Sequence, residues 1–186
     1  MAKICDNTSV GQIILNGGNI AVIERHNYPQ AYALPAGHVD GPLRQSESEA
    51  SDTPWSAGVE RECREEVGIE ITENKLVFKK ELDNPCKREG GSHHLWEIYE
   101  AIAWRGELKA GDDAKRAFWK TPEELRAFAA RTEYFMRKYD LPYSEVGKLT
   151  RAIFGDPAAK QTDPEWISEM GLEPVWYYIL TKVGVI

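Results

Sequence analysis

Cysteine is scarce in this chain: Cys5, Cys63 and Cys86 are the only three in 186 residues. The number is odd and no two stand in a CxxC spacing, which argues against a disulfide framework and against a zinc site. Basic charge is also short. Lys and Arg total 23 against 30 Asp and Glu, a formal net charge of -7. A broad nucleic-acid surface needs the opposite balance, so no nucleic-acid partner is expected. An anionic small molecule remains compatible, because a bound divalent cation reverses the local sign. Long apolar runs are missing as well. VWYYIL is the strongest, far short of a membrane span. The opening MAKICDNTSV is polar and lacks the apolar stretch of a signal peptide. The expectation is a cytoplasmic protein with no membrane partner.

What is present suits one globular domain over residues 1–186, since 42% of residues are hydrophobic. VGQIIL and NIAVIER read as strands joined by the turn Asn16-Gly17-Gly18. A short strand is expected near Tyr32 to Leu34, inside a Pro- and Gly-rich stretch. GPLRQSESEASDTPW, residues 41–55, is polar and aperiodic and reads as a long loop. A helix follows from Ser56 as N-cap to Val67, with Gly68 as the stop. KLVFKKEL, HHLWEIYEAIAW and AKRAFWK read as strands. TPEEL opens a helix over 122–138, and helical pieces follow near 143–153, 164–170 and 173–183. This order gives an α/β (α+β) class, a mixed sheet with helices packed on it. Residues from about 131 to 186 read as a C-terminal helical extension.

RECREEVG, residues 61–68, crowds Glu62, Glu65 and Glu66 at positions i, i+3 and i+4. Val59, Cys63 and Val67 share the adjoining face and should be buried. Each like-charged pair at these spacings costs roughly 0.2–0.5 kcal/mol. Pairs of opposite charge, Glu60 with Arg64 and Arg61 with Glu65, offset part of that. The helix alone therefore fits two readings: a solvated, charge-laced face, or three carboxylates gathered for a hard cation. All-oxygen ligation selects Mg²⁺ or Mn²⁺ over zinc. Mg²⁺ shares its remaining positions with substrate phosphates, so such a cluster beside a glycine-rich turn suits phosphate chemistry.

LPAGHVDG, residues 34–41, together with RECREEVGI, residues 61–69, resembles the signature of the Nudix hydrolases, G-x5-E-x7-R-E-U-x-E-E-x-G-U with U aliphatic. Gly37 matches the opening glycine, and Arg61, Glu62, Glu65, Glu66, Gly68 and Ile69 match the second half. Cys63 takes the first U position. The resemblance covers roughly residues 8–130. The interval from Gly37 to Arg61 exceeds the signature by ten residues, all within the polar loop. The first glutamate of the pattern therefore has no clear counterpart. Counting from either end reaches Thr53 or Leu43, and Glu47, Glu49 and Asp52 are substitutes among which the sequence does not choose.

The resemblance implies an α/β/α sandwich that cleaves a nucleoside diphosphate linked to another group. It implies Glu62 and Glu66 as metal ligands, and Glu65 as a further ligand or a helper in activating water. It adds the backbone carbonyl of Ala36 as a ligand and Arg61 as a residue that orients carboxylates. Glu62, Glu65 and Arg61 form the catalytic set. The family takes its general base from different places, and Asp112 and Asp113 are later-loop candidates that equally suit a hairpin turn. For the substrate, a small nucleotide, the candidates are Arg25, His26, Tyr28 and Gly37, with Tyr32 nearby; the first three also suit ordinary surface residues at a strand end. LPAG is similar to the ADP-ribose pyrophosphatase branch. His93 and His94 adjoin in a strand and point to opposite faces, which argues against a two-histidine metal site. The aromatic C-terminal residues are expected to pack on the core; capping the cleft or forming a homodimer face are the alternatives. A rival reading of the whole chain is a Nudix-fold module that senses a nucleotide without hydrolysing it.

Overall fold

The computed structural model describes residues 4–39, 54–111, 114–158 and 161–186. The inserted loop, with Glu47, Glu49 and Asp52, lies outside the described residues, as do Asp112 and Asp113.

Among the described residues, eight strands make two four-stranded sheets. In the first, β1 (Thr8–Ile13) runs parallel to β7 (His93–Gly106) and antiparallel to β5 (Ala36–Gly37). A long antiparallel hairpin joins β7 to β6 (Ile69–Asp83). With neighbours on both edges, β1 is buried over all six residues. In the second sheet β3 (Asn19–Arg25) pairs along Ile20 to Arg25 with β8 (Ala114–Lys120). The other edge of β3 is shared by β2 (Leu15–Asn16) and β4 (Tyr32–Ala33).

The expected hairpin at Asn16-Gly17-Gly18 forms, with Gly17 and Gly18 at φ 56° and 84°. It is shorter than the sequence suggests. Only Leu15 and Asn16 pair back onto β3, because both edges of Thr8–Ile13 are occupied in the other sheet.

Helix α1 (Pro54–Val67) starts two residues before Ser56, with a proline in its first turn where no amide partner is needed. Its expected apolar face is fully inside: Val59, Cys63 and Val67 are 0% exposed. Gly68, at φ 68°, ends it. Helix α2 (Pro122–Lys138) carries the expected capping box, Thr121 and Glu124 bonding each other's backbone amides.

The remaining helices are α3 (Val146–Phe154), α4 (Pro164–Ser168) and α5 (Pro174–Lys182). Val175, Trp176 and Ile179 of α5 enter the same buried cluster as Val10, Ile98 and Val59. Trp176 lies over β1 so closely that a Cβ on Gly11 would come within 2.6 Å of its ring. A second cluster gathers Phe135, Leu149, Phe154 and Trp166. Phe128, Phe135, Tyr139, Tyr143, Trp166, Trp176, Tyr177 and Tyr178 are buried or half-buried in these two clusters. Among the described residues no helix is long and apolar enough to cross a membrane.

Candidate active site

Three segments meet at the exposed side of α1. One is the turn after β4 that carries Ala36 to His38. The second is the end of β3 with Arg25 to Tyr28. The third is the β6–β7 loop, Asn84 to Ser92. They enclose a cleft of about 250 Å³ lined by Arg25, Tyr28, Gly37, Arg61, Glu62 and Glu66, among others.

Glu66 is buried, and its Oε2 accepts the Ala36 amide at 2.9 Å. Glu62 is nearly as enclosed, its side chain 12% exposed against 59% for Glu65. The Glu62 carboxylate rests on Gly37, where a Cβ would lie 2.0 Å from its Cδ. Only glycine admits that approach. Arg61 holds the group in order. It meets Glu62 at 2.8 Å and Glu65 at 3.0 Å, and it donates to the His38 carbonyl at 2.8 Å. Partial burial works against its charge, yet Glu62 and Glu65 outweigh that and raise the guanidinium above its ordinary range.

The far end of α1 is clamped by the chain after β7. Gly111 donates to the Glu66 carbonyl at 2.8 Å and Lys109 to the Val67 carbonyl at 3.0 Å. A Cβ on Gly111 would fall 1.7 Å from the Glu65 carbonyl oxygen. These contacts fix the last turn of α1 and hence the directions of Glu65 and Glu66.

The substrate candidates divide. Arg25 lines the cleft and lies 3.5 Å from Glu173, a residue in the turn before α5. Burial pushes the Glu173 carboxyl above its ordinary range against the pull of Arg25. Tyr28 lines the cleft with its ring, while its hydroxyl donates to the Gly155 carbonyl at 3.1 Å. Burial, with Glu173 nearby, pushes that hydroxyl up to about 12. His26 is exposed and is not among the residues that line the cleft. The strand ends at Arg25, and the bend that begins at His26 leaves that residue in solvent. Tyr32 also stands apart, stacked on Phe128 with ring centroids 3.9 Å apart. Lys87 and Arg88 line the cleft and were missed, because nothing in sequence ties the β6–β7 loop to α1.

In donor chemistry the carboxylates suit a hard divalent cation. The donors are all oxygen, two of the three are shielded from solvent, and the cradle at Gly37 is one that a Cβ would fill.

A second group of ligand atoms lies at the same mouth. Cys5, His38, Cys86 and His94 bring one sulfur or nitrogen each to within 4.8 Å of the others. Sequence spacing argues against this, since the two cysteines are 81 positions apart. His93 and His94 do face opposite ways, one exposed and one buried. The partner of His94 is His38, its ring centroid 5.2 Å away.

A family model described as NUDIX domain matches residues 7–139. No curated protein matches the chain. Among solved structures, a MutT NUDIX hydrolase from Burkholderia pseudomallei is similar at 24% identity and TM-score 0.50, over 63% of this chain and 84% of that one. The ORF135 protein of E. coli is similar at 21% identity and TM-score 0.46, over 84% and 94% of the two chains. The NUDIX domain of Shewanella oneidensis NrtR, in complex with ADP ribose, is 14% identical at TM-score 0.46, over 68% and 78%. The family match spans well over half of the chain and coincides with the carboxylate helix and the glycine turn: this protein belongs to the NUDIX family.

Proposed function

We propose that this protein hydrolyses the pyrophosphate bond of a nucleoside diphosphate linked to another moiety, such as a nucleotide sugar or ADP-ribose. The observation that carries the reading is the convergence of Glu62 and Glu66 on the Ala36–Gly37 turn, inside a cleft also lined by Lys87 and Arg88. Carboxylates alone would repel a diphosphate; carboxylates that hold a cation, faced by two basic side chains, accept one.

Glu62, Glu65, Glu66 and the Ala36 carbonyl are the residues that would hold Mg²⁺ or Mn²⁺. The chemistry such an ion supplies is neutralisation of phosphate charge and a lowered pKa for water. Arg61 keeps Glu62 and Glu65 in place. Glu65, the most exposed of the three carboxylates, would in addition help to activate the attacking water. Lys87 and Arg88 screen the charge that builds on phosphate oxygens. Arg25 and the Tyr28 ring form the wall against which the nucleotide part rests.

The test is pyrophosphatase activity with Mg²⁺ over a panel of nucleotide sugars, ADP-ribose, NADH, dinucleoside polyphosphates and nucleoside triphosphates. Glu66→Gln keeps an oxygen for the Ala36 amide and so should keep the fold. It should lose turnover by about 1,000-fold or more, the scale of a lost group in charge stabilisation. Full activity in Glu66→Gln would sink the site assignment. Tight nucleotide binding by the wild type without turnover would favour the sensing module.

A further inference from the structure

We propose that Cys5, His38, Cys86 and His94 form a structural zinc site, separate from the carboxylate cluster, that pins the mouth of the cleft. The four ligands come from four places: the N-terminal segment, the turn after Gly37, the β6–β7 loop and the start of β7. All four face one point, with Cys5 and His94 buried and Cys86 and His38 half-buried.

The separations from Cys5 Sγ to Cys86 and His38 are close to the edges of a zinc tetrahedron, and that to His94 is shorter. Zinc bonds of about 2.3 Å to sulfur and 2.0–2.1 Å to nitrogen set edges of roughly 3.8 Å between two sulfurs and 3.6 Å between sulfur and nitrogen. Cys5 Sγ lies 3.7 Å from Cys86 Sγ, 3.5 Å from His38 Nε2 and 3.1 Å from His94 Nε2. A disulfide needs its sulfurs at about 2.05 Å, far inside that separation. Two sulfurs and two imidazole nitrogens form a borderline-soft set that favours zinc over the hard cations suited to Glu62 and Glu66.

The surroundings are shaped for the sulfurs. The Asn7 amide donates to Cys5 Sγ at 3.3 Å and the Arg88 amide to Cys86 Sγ at 3.4 Å. Such outer contacts orient thiolate ligands and spread their charge. Gly91 passes so near that a Cβ there would sit 2.2 Å from Cys86 Sγ and 3.2 Å from Cys5 Sγ. The Cys5 amide donates to the Glu89 carbonyl at 2.8 Å, tying the N-terminal segment to the same loop.

On binding, each thiol gives its proton to solvent and the two thiolates neutralise the Zn²⁺ charge. Four protein ligands close the coordination sphere, so the site is structural. Its effect reaches the active site through His38. The His38 ring would be fixed by zinc while its carbonyl holds Arg61, which in turn holds Glu62 and Glu65.

The experiment is metal analysis of the full-length chain, then replacement of the bound metal by Co²⁺ and its visible spectrum. The expected result is about one zinc per chain. The cobalt form should show intense tetrahedral d–d bands and sulfur-to-cobalt charge transfer. The bands should be lost in Cys86→Ser and His94→Asn and kept in Cys63→Ser and Glu66→Gln. Retention in Glu66→Gln separates this site from the carboxylate cluster, so either assignment can fail alone. Metal content that follows Glu66, cobalt bands that survive Cys86→Ser, or a Cys5–Cys86 disulfide in the intact mass would each overturn the proposal. Should a cysteine variant fail to fold, zinc-edge X-ray absorption of the wild type decides. Two sulfur neighbours at about 2.3 Å support the site, and a sulfur-free shell refutes it.

Discussion

Gly37 shows how one missing Cβ sets the geometry of the site. The Glu62 carboxylate occupies the space a side chain would take, 2.0 Å from the Cβ position. Gly37→Ala should therefore displace Glu62 and lower kcat by about 100-fold, the scale of a one-ångström misplacement at a reacting centre. Circular dichroism should show the fold retained, since the contact lies at the cleft surface. Activity within twofold of wild type would mean that Glu62 does not need its observed position. Arg61 belongs to the same scale. Arg61→Lys keeps the charge but cannot bridge Glu62, Glu65 and the His38 carbonyl together. It should weaken metal dependence, read as a higher Mg²⁺ concentration for half-maximal rate.

At the scale of elements, α2 is set by local chemistry, and its docking by the apolar contact of Phe135 with Trp166, edged by charge. Thr121 caps the helix through the Glu124 amide at 3.2 Å, and Thr121→Ala should cost about 1 kcal/mol in urea unfolding with activity unchanged. The contact between α2 and α4 adds a pH dependence. Asp163 caps α4 and also meets Lys138 at 2.8 Å and the Tyr139 hydroxyl. Loss of solvent opposes its charge, but bonds from Lys138, Tyr139 and the Glu165 amide outweigh that and hold it at about 2, below the ordinary 3.8. A carboxyl depressed in the folded state stabilises above its unfolded pKa and loses that contribution as pH falls through the folded one. The melting-temperature gap between wild type and Asp163→Asn should be constant near neutrality and close between about pH 4 and pH 2. A gap that persists at pH 2 would show that the ion pair is not its source.

At the scale of the whole molecule, the C-terminal helices complete the core. Trp176 is 0% exposed, packs edge to face on Trp96 with centroids 6.0 Å apart, and covers Gly11 of β1. Glu173, just before α5, reaches the cleft and faces Arg25. A chain ending at Tyr139, where the family match stops, should lack a native core. Near-UV circular dichroism should lose its tryptophan signal and dye binding should rise. A cooperative melt in that truncation would show the helices to be an independent addition. Trp176→Ala in the full chain should cost about 3–5 kcal/mol, the range for removing a large buried aromatic.

The amino-acid order by itself determined the local elements. Most strands, the Asn16-Gly17-Gly18 turn, the capped helix from Pro122 and the inward face of α1 follow from periodicity, caps and glycine φ, which act over a few residues, whereas β5 and the first residues of β6 were not legible in the sequence. The carboxylate trio was readable for the same reason, since one helix carries all three. Partners far apart in the chain were decided by tertiary structure alone. Which edge of β1 is filled depends on β5 and β7, not on the adjacent turn. His26 and Arg25 look equivalent in sequence, and only the bend after β3 sends one into the cleft and the other to solvent. The gathering of Cys5, His38, Cys86 and His94 leaves no spacing motif, because each arrives from a different segment and only the folded sheet and its loops bring them together.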